Sequence, residues 1–295
     1  MNKFEMSHAN LTRLRKLMLM LCFIAIVVVA FHHIRQQQFD IPPDGEIRVH
    51  FIDVGQGESI LVQSRQHNIL IDAGLPAAAS IVIAYLEGLG ISSLDYAIAT
   101  HPHNDHIGGM PAVLDRFTVH NFWMPNVMHE TAAFERLLEA LERNHTYITT
   151  IEAGTRISTG IINMIVVSPI EGAIHGNLND HSIVLHMTYG STSFLFTGDA
   201  ETPAEMQMIA GELPIRSNVL SVGHHGSRTS TTEMFLDAVM PQIAVISLGA
   251  NNQFGHPHRY VISRLEERGI KILRTDELGT IVISTDGESL FLYSN

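Results

Sequence analysis

The most informative part of this sequence is Thr100-His101-Pro102-His103-Asn104-Asp105-His106-Ile107-Gly108-Gly109, which directly follows a β-type run at residues 96–100. It places three imidazoles and one carboxylate within six residues, a composition that does not suit a hydrophobic core. A solvated turn normally uses Gly, Asn and Ser instead. Nitrogen and oxygen donors of this kind suit zinc or another first-row divalent ion. His101 and His103 can point together while the turn directs Asp105 and His106 elsewhere, which permits two adjacent metal ions.

Around this stretch, short β-rich runs alternate with amphipathic helices. Several strands form consecutive hairpin-like pairs, whereas others are separated by a helix. This mixture predicts an α/β fold in which two sheets pack face to face with helices outside, a four-layer αββα sandwich. Predicted strands cover residues 47–53, 59–63, 68–72, 96–100, 161–167, 183–189, 193–197, 219–222, 243–248, 270–274, 280–284 and 289–293. Predicted helices cover residues 78–89, 110–117, 132–143, 203–210, 231–239 and 260–268.

The composition excludes several classes of protein. A chain of 295 residues with 45% hydrophobic and 16% charged residues is globular rather than disordered or fibrous. Its net charge of −12 excludes nucleic-acid binding through a general basic surface, so a polyanionic partner needs a local basic site or bound metal ions. The single cysteine, Cys22, excludes a disulfide scaffold and a thiolate metal cluster.

An unbroken apolar run at residues 17–31 follows Arg13, Arg15 and Lys16. This charge order predicts a cytoplasmic N-terminus at residues 1–16 and a membrane anchor or signal peptide at residues 17–34. The run is short for a full span, so an uncleaved anchor and a cleaved signal peptide both remain open. A polar linker is predicted at residues 35–45, followed by one domain at residues 46–295 outside the cytoplasm.

The HxHxDH run, with Leu70-Ile71-Asp72-Ala73-Gly74 upstream, resembles the metallo-β-lactamase superfamily of hydrolases. Residues 46–295 are further similar to the extracellular hydrolase domain of ComEC-type competence proteins. Only one apolar segment is present, so DNA import by this chain alone is not expected. The motifs that carry the second resemblance are Phe51-Ile52-Asp53-Val54-Gly55-Gln56-Gly57-Glu58-Ser59, Phe196-Thr197-Gly198-Asp199, His224-His225-Gly226-Ser227 and Gly255-His256-Pro257-His258.

The later motifs supply the remaining candidate metal ligands. Asp199 ends a β-run at a Gly-Asp corner and is expected to bridge two cations, although an Asp there also suits a helix cap. The resemblance implies that His225 binds the second metal. His224 is expected to face the substrate phosphate or a ligating carboxylate, and the two histidines could exchange roles.

The third ligand of the first metal stays open. His181 could bind metal, and a turn histidine bonded to backbone is the competing interpretation. Asp180 or water are the other candidates. The resemblance implies that Asp72 orients a histidine without touching the ion, whereas a plain turn-capping role is the alternative.

Three residues are candidates for contact with substrate. His256 precedes a helix after an Asn-rich loop, where a phosphate would meet an imidazole, and His258 is expected to be a helix cap. Arg228 is the best local cation for a phosphodiester, although surface arginines are usually just solvated. The other histidines, including His120 and His129, show no ligand spacing and are expected to be surface or packing residues.

These assignments predict an enzyme with two divalent ions, zinc or manganese. Two such ions draw in a polyanion and lower the pKa of a shared water, whose hydroxide is the expected nucleophile. His224 or His256 would protonate the leaving oxygen, with Asp105 also in the catalytic set. The expected substrate is a phosphodiester, in DNA or an envelope polymer. A β-lactam or thioester hydrolase and a binding module with a relic metal site are the alternatives, and the oligomeric state stays open.

Overall fold

The structure is a computed structural model that describes residues 41–172 and 176–293, together with residues 16, 18–20 and 23. Within these residues, no helix is both long and apolar enough to cross a membrane. The predicted N-terminal segments at residues 1–16, 17–34 and 35–45 fall mostly outside this range. The domain predicted from residue 46 onward falls almost entirely within it.

Two β-sheets form the body of the described chain. The first, sheet A, has eight strands in the order β15-β14-β1-β2-β3-β4-β5-β6. Neighbouring strands from β15 to β3 run antiparallel, and those from β3 to β6 run parallel. Its strands are β1 (Ile47–Phe51), β2 (Ile60–Gln63), β3 (Asn68–Ile71), β4 (Ser93–Ile98), β5 (Thr118–Met124), β6 (Ile148–Thr150), β14 (Ile281–Thr285) and β15 (Leu290–Tyr293).

The second, sheet B, has seven strands in the order β13-β12-β11-β10-β9-β8-β7. Strands β10 to β13 run parallel to one another, whereas β7 to β10 form antiparallel pairs. Its strands are β7 (Arg156–Thr159), β8 (Ile162–Ser168), β9 (Val184–Tyr189), β10 (Thr192–Phe196), β11 (Val219–Ser221), β12 (Ile243–Ile246) and β13 (Lys271–Arg274).

A hydrophobic core joins the inner faces of the two sheets. Because successive side chains on a strand point to opposite faces, Val49 and Phe51 of β1 enter this core while His50 points away from it. Phe51 meets Phe196 of sheet B, with ring centroids 6.5 Å apart. The two sheets therefore share one dry interior.

Helices cover the outer face of each sheet. On sheet A, α4 begins at the Thr131 cap, whose side chain accepts from the amide N–H of Phe134, and it packs beside α2 and α3. On sheet B, α5, α6 and α7 pack over a separate apolar cluster. The helices are α1 (Ala79–Gly88), α2 (Asn104–Ile107), α3 (Met110–Arg116), α4 (Ala132–Arg143), α5 (Thr202–Ala210), α6 (Glu233–Val239), α7 (Arg259–Glu267) and α8 (Thr275–Leu278).

The mixed α/β architecture with two sheets confirms the predicted fold class, and every predicted strand and helix overlaps an observed one. Strands β5, β6 and β7 were not predicted. The first part of β5 is largely exposed, and its buried residues, Phe122 to Met124, are consecutive at its end. It therefore lacks the period-two alternation that identifies a strand in a sequence. β6 has only three residues, all exposed. Both strands form because they extend the parallel edge of sheet A beyond β4.

Candidate metal centre

The candidate site lies where the carboxyl ends of strands from both sheets meet. In sheet A, Asp72 follows β3, and residues 101–106 follow its parallel neighbour β4. In sheet B, Asp199 follows β10, and residues 224–225 follow its parallel neighbour β11. Loops at the carboxyl ends of parallel strands converge at one edge, which makes this edge the usual place for a ligand in α/β folds.

Two glycines allow the loops of sheet A to approach closely. A Cβ atom on Gly57 would overlap the backbone carbonyl of Asp105, and one on Gly109 would overlap the carbonyl of Ala73. Gly57 also has a φ of 134°, which side-chain-bearing residues rarely adopt. These close contacts hold the HxHxDH loop against the turn that carries Asp72.

Four imidazoles surround the carboxylate of Asp199. The Nε2 atoms of His106 and His225 lie 3.1 and 3.6 Å from Asp199 Oδ1. The Nε2 atoms of His101 and His224 lie 3.5 and 3.7 Å from Asp199 Oδ2. Each carboxylate oxygen therefore faces two imidazole nitrogens, one from the loop after β4 and one from the turn after β11.

The ring of His106 is held from behind by Asp72. His106 Nδ1 lies 2.7 Å from Asp72 Oδ2, and both residues are fully buried. The same carboxylate accepts hydrogen bonds from the backbone N–H and the hydroxyl of Thr100, at 2.8 and 2.6 Å. Asp72 thus orients both a histidine and the loop that carries it, the arrangement expected of a carboxylate behind a metal ligand.

The two histidines after β11 are anchored in the same way. His225 Nδ1 lies 2.8 Å from the carbonyl oxygen of Ser247, which follows β12. His224 Nδ1 lies 2.9 Å from Glu201 Oε1, which also accepts from the Thr229 hydroxyl at 2.8 Å. Anchoring each Nδ1 leaves each Nε2 directed at Asp199, and both histidines adopt the left-handed backbone conformation to achieve it.

The donor atoms fit a divalent cation. His106 Nε2, His225 Nε2 and Asp199 Oδ1 are buried and form no hydrogen bond with the described residues, although they face one another. Buried polar atoms of native proteins nearly always have a partner, and one cation would satisfy all three. Among the described residues, three sets of groups hold their ligand atoms within 4.8 Å of one another: His101, His106 and Asp199; Asp105, His106 and His225; and Glu58, Asp72 and His106.

The electrostatics of the protein without metal point the same way. Burial opposes protonation of His106, but the carboxylates of Asp199 and Asp72 raise the pKa of His106 well above its ordinary value. A proton on His106 thus partly offsets the negative charge of the site. A bound cation would replace that proton, so metal binding is expected to weaken as pH falls.

His103 and His129 lie at one side of the cluster. His103 Nδ1 is 2.9 Å from His101 Nε2, so the two predicted ligands do point together. The ring of His129 lies 5.8 Å from that of His103, edge to face. His129 was expected to be a surface or packing residue. Its separation from the HxHxDH motif along the chain concealed its proximity.

The turn Asn179–His181 carries the two residues that are candidates for the open third ligand. Asp180 Oδ1 accepts from the backbone N–H groups of Glu201 and Ala204, so this oxygen caps the start of α5. Among the described residues, the sets of ligand atoms within 4.8 Å of one another include neither Asp180 nor His181. His224 instead faces the same carboxylate oxygen as His101.

His256 lies beside this cluster on the loop before α7. Its ring centroid is 5.6 Å from that of His224 and 6.5 Å from that of His225. Burial, followed by the positive charges of these two neighbours, lowers the pKa of His256 to about 4. His256 is therefore a neutral hydrogen-bonding group at pH 7.

His258 and Arg228 complete the predicted residues. His258 Nδ1 accepts from the N–H of Tyr260 at 3.4 Å, which makes it the cap of α7. Arg228 is exposed and forms no ion pair with any described residue. The structure therefore brings His256 to the cluster and leaves Arg228 in solvent.

Two acidic residues of the site were not predicted from the sequence. Glu201, two residues after Asp199, anchors His224. Glu58 is buried, and its Oε1 accepts from the Ser221 hydroxyl at 2.7 Å. Burial, followed by the charge of Asp72, raises the pKa of Glu58 to about 7. The signal for Glu58 was an acid between Gly57 and the start of a fully buried strand.

The fold and this His/Asp cluster define a metallo-β-lactamase-type protein. The model of the metallo-β-lactamase superfamily matches residues 52–250, more than half of the chain. The chain belongs to this superfamily, whose members are metal-dependent hydrolases, as the resemblance implied.

Two curated relatives match most of this chain. The chain is 33% identical over 254 residues to ComE operon protein 3 of Bacillus subtilis, covering 80% of this chain and 33% of that protein. It is 32% identical over 248 residues to competence protein ComA of Neisseria gonorrhoeae, covering 81% of this chain and 32% of that protein. The chain spans about a third of the length of these relatives.

A solved structure shares the fold. The metallo-β-lactamase fold protein YhfI of Bacillus subtilis matches with a TM-score of 0.55 at 14% identity, covering 81% of this chain and 99% of that chain. At this identity the likeness concerns the fold alone.

Proposed function

We propose that this chain is a dinuclear metal-dependent phosphodiesterase acting outside the cytoplasm. The observation that carries the proposal is the pairing of imidazoles around Asp199, with two Nε2 atoms at 3.1 to 3.7 Å from each carboxylate oxygen. A carboxylate with nitrogen donors on both oxygens suits a bridge between two cations rather than a ligand of one.

Asp199 would contribute to both metal sites. His101 and His103 would hold the first ion with it, and Asp105, His106 and His225 would hold the second. His181, Asp180 and water are the candidates for the third ligand of the first ion, and His224 is left to face the substrate. Both sites combine imidazole and carboxylate donors, which take zinc or manganese according to supply. Divalent ions bound here would supply Lewis acidity and an ionisable water.

The groups beside the two sites suit an anionic substrate. The bound ions attract a phosphodiester into an otherwise acidic protein. His224, held by Glu201 and partly open to solvent, turns its Nε2 toward the carboxylate of Asp199, beside which the reacting group would lie. His256, neutral at pH 7, contributes a hydrogen bond to a phosphate oxygen or to the leaving oxygen. Arg228 reaches the substrate only if its exposed side chain turns toward the bound phosphate.

The similarity to competence proteins supports DNA as one candidate polymer, and a phosphate-containing envelope polymer is the other. The same similarity supports an envelope location. The apolar run at residues 17–31 behind Arg13, Arg15 and Lys16 supports a domain exported by an anchor or a cleaved signal.

The reaction class is tested on residues 40–295 loaded with zinc or manganese. We expect hydrolysis of bis-p-nitrophenyl phosphate and single-stranded DNA, with a rate that rises with pH until the reacting water is ionised, and no hydrolysis of nitrocefin or a thioester. His101→Ala should lower the rate at least about a hundredfold, because it removes a ligand. His256→Ala should weaken turnover without emptying the site.

The matched control is His120→Ala, since His120 is exposed on β5. This variant should retain the wild-type rate. Cleavage of nitrocefin or a thioester without cleavage of any phosphodiester would show that the reaction class is wrong. An unchanged rate in His256→Ala would remove the phosphate-contact role of that residue.

A further inference from the structure

A cleft opens beside the second metal site. Its volume is ≈ 560 Å³, within the range of small-molecule sites, and Asp105 forms part of its wall. The rest of the wall comes from Gln56 in the loop after β1, Leu75 in the turn after β3, Asn104 beside Asp105, and residues 251–254 in the loop after β12. The cleft therefore adjoins the second metal site through Asp105.

Phe254 is the aromatic residue of this wall. Its side chain is 58% exposed, although burial would stabilise an aromatic ring of this size. The ring stacks on that of His256, with centroids 5.8 Å apart and planes inclined by 28°. Phe254 is thus an exposed aromatic surface connected directly to a residue of the candidate site.

The loop that carries Phe254 is held in one conformation. Asn252 Oδ1 accepts from the backbone N–H groups of Phe254 and His256, at 3.2 and 3.0 Å. Asn252 Nδ2 donates to the carbonyl oxygens of Gly249 and His256, at 3.1 and 2.6 Å. A ring on a loop fixed in this way loses little conformational freedom when a ligand stacks on it.

The polar groups of the cleft are amides. Gln56, Asn104, Asn251 and Gln253 line it with both donors and acceptors, and its lining includes neither Lys nor Arg. Asp105 is its one charged lining residue. The cleft therefore suits a neutral, planar group with hydrogen-bonding edges, and it does not suit a second phosphate.

We propose that this cleft is a nucleobase subsite, in which the base next to the scissile phosphodiester stacks on Phe254 and bonds to the amides. The inference rests on the proposed phosphodiesterase function and adds its substrate class. Bases present a π-face and hydrogen-bonding edges, and proteins that bind single strands use aromatic rings with polar side chains in this way. In a duplex the face and edges are covered, so the subsite selects unpaired nucleotides.

Two matched substrates test the subsite with the metal-loaded full chain in detergent. One is the 5′-p-nitrophenyl phosphate diester of thymidine, and the other is the same diester of the abasic sugar. In the wild-type protein kcat/KM should favour the thymidine diester. Phe254→Ala should lower this preference about tenfold, mainly through KM, since stacking is uniform binding. Phe254→Trp should retain it.

The control is Phe291→Ala, which removes another half-exposed Phe from the edge strand β15 and should leave the preference unchanged. A direct readout uses a 2-aminopurine dinucleotide with a methylphosphonate linkage. Its fluorescence should be quenched by the wild-type protein and Phe254→Trp, but not by Phe254→Ala.

Equal kcat/KM for the two diesters would overturn the subsite while leaving the phosphodiesterase intact. An unchanged preference in Phe254→Ala would do the same. If neither diester is hydrolysed, the proposed function fails, and the quenching experiment then decides the subsite alone: quenching that depends on Phe254 supports it, and its absence overturns it.

Discussion

Asp199 is the residue on which the candidate metal centre depends. Its oxygens face four imidazole nitrogens from two different sheets, and the residue is buried. Replacing Asp199 by Asn removes one charge and converts one oxygen into an NH₂ donor, which repels a cation. We expect the Asp199→Asn variant to lose at least one metal ion per chain relative to the wild type. Elemental analysis after dialysis measures this difference.

Asp44→Asn is the matched control. Asp44 has an 84% exposed side chain and pairs with Arg65 at the surface, so this variant should keep the full metal content. Wild-type metal content in Asp199→Asn would remove the bridging assignment.

At the scale of elements, β1 and α1 are joined by a partly buried polar contact. His50 Nδ1, on the outer face of β1, lies 2.8 Å from the hydroxyl of Tyr85 on α1. Burial, with the charge of Arg48, lowers the pKa of His50 to about 3. The unfolded chain therefore binds this proton near the ordinary pKa of about 6.5 while the folded chain does not.

The lowered pKa of His50 predicts that the free energy of unfolding decreases as the pH falls below about 6.5 and continues to decrease until the pH reaches about 3. His50 should account for roughly 2 kcal/mol of the loss between pH 7 and pH 5. In His50→Gln, which never ionises, the free energy of unfolding should decrease by correspondingly less over this interval. Urea unfolding of chelator-treated protein at both pH values measures the difference.

His120→Gln is the control for this comparison, because His120 is exposed and its replacement should leave the pH dependence as in the wild type. If wild type and His50→Gln lose the same stability between pH 7 and pH 5, His50 is not held neutral in the folded protein.

At the scale of the whole molecule, the acidic domain follows an apolar run flanked by cations. The net charge of the chain is −12, but the residues just before the apolar run include the cations Arg13, Arg15 and Lys16. Because cationic flanks remain in the cytoplasm, we expect alkaline phosphatase fused after Asn295 to be active on the outer face of the membrane.

The same fusion without residues 1–34 should be inactive, since it lacks the export segment. A cytoplasmic location of the full-length fusion would contradict both the anchor and the signal-peptide interpretations.

The fold class and part of the site could be predicted from sequence because their signals are local. Alternation of apolar residues depends only on neighbouring positions, and it identified twelve strands of the two sheets. The HxHxDH spacing likewise requires only one turn after one strand, so His101, His103, Asp105 and His106 could be named in advance. Strands β5 to β7 lack such a signal, because many of their positions are exposed and exposed positions place little constraint on side-chain type.

The tertiary structure decided which side chains from distant parts of the sequence meet at the candidate metal centre. Glu58 and Ser221 are 163 positions apart in sequence, yet they share a hydrogen bond beside the cluster. Glu201 behind His224, the Ser247 carbonyl behind His225, and His129 beside His103 also come from separate loops. No local pattern marks such residues, because their positions follow from the packing of two sheets. The sequence by itself thus determined the ligand types and the strands that carry them. Only the convergence of loops from both sheets decided that two imidazoles face each oxygen of Asp199.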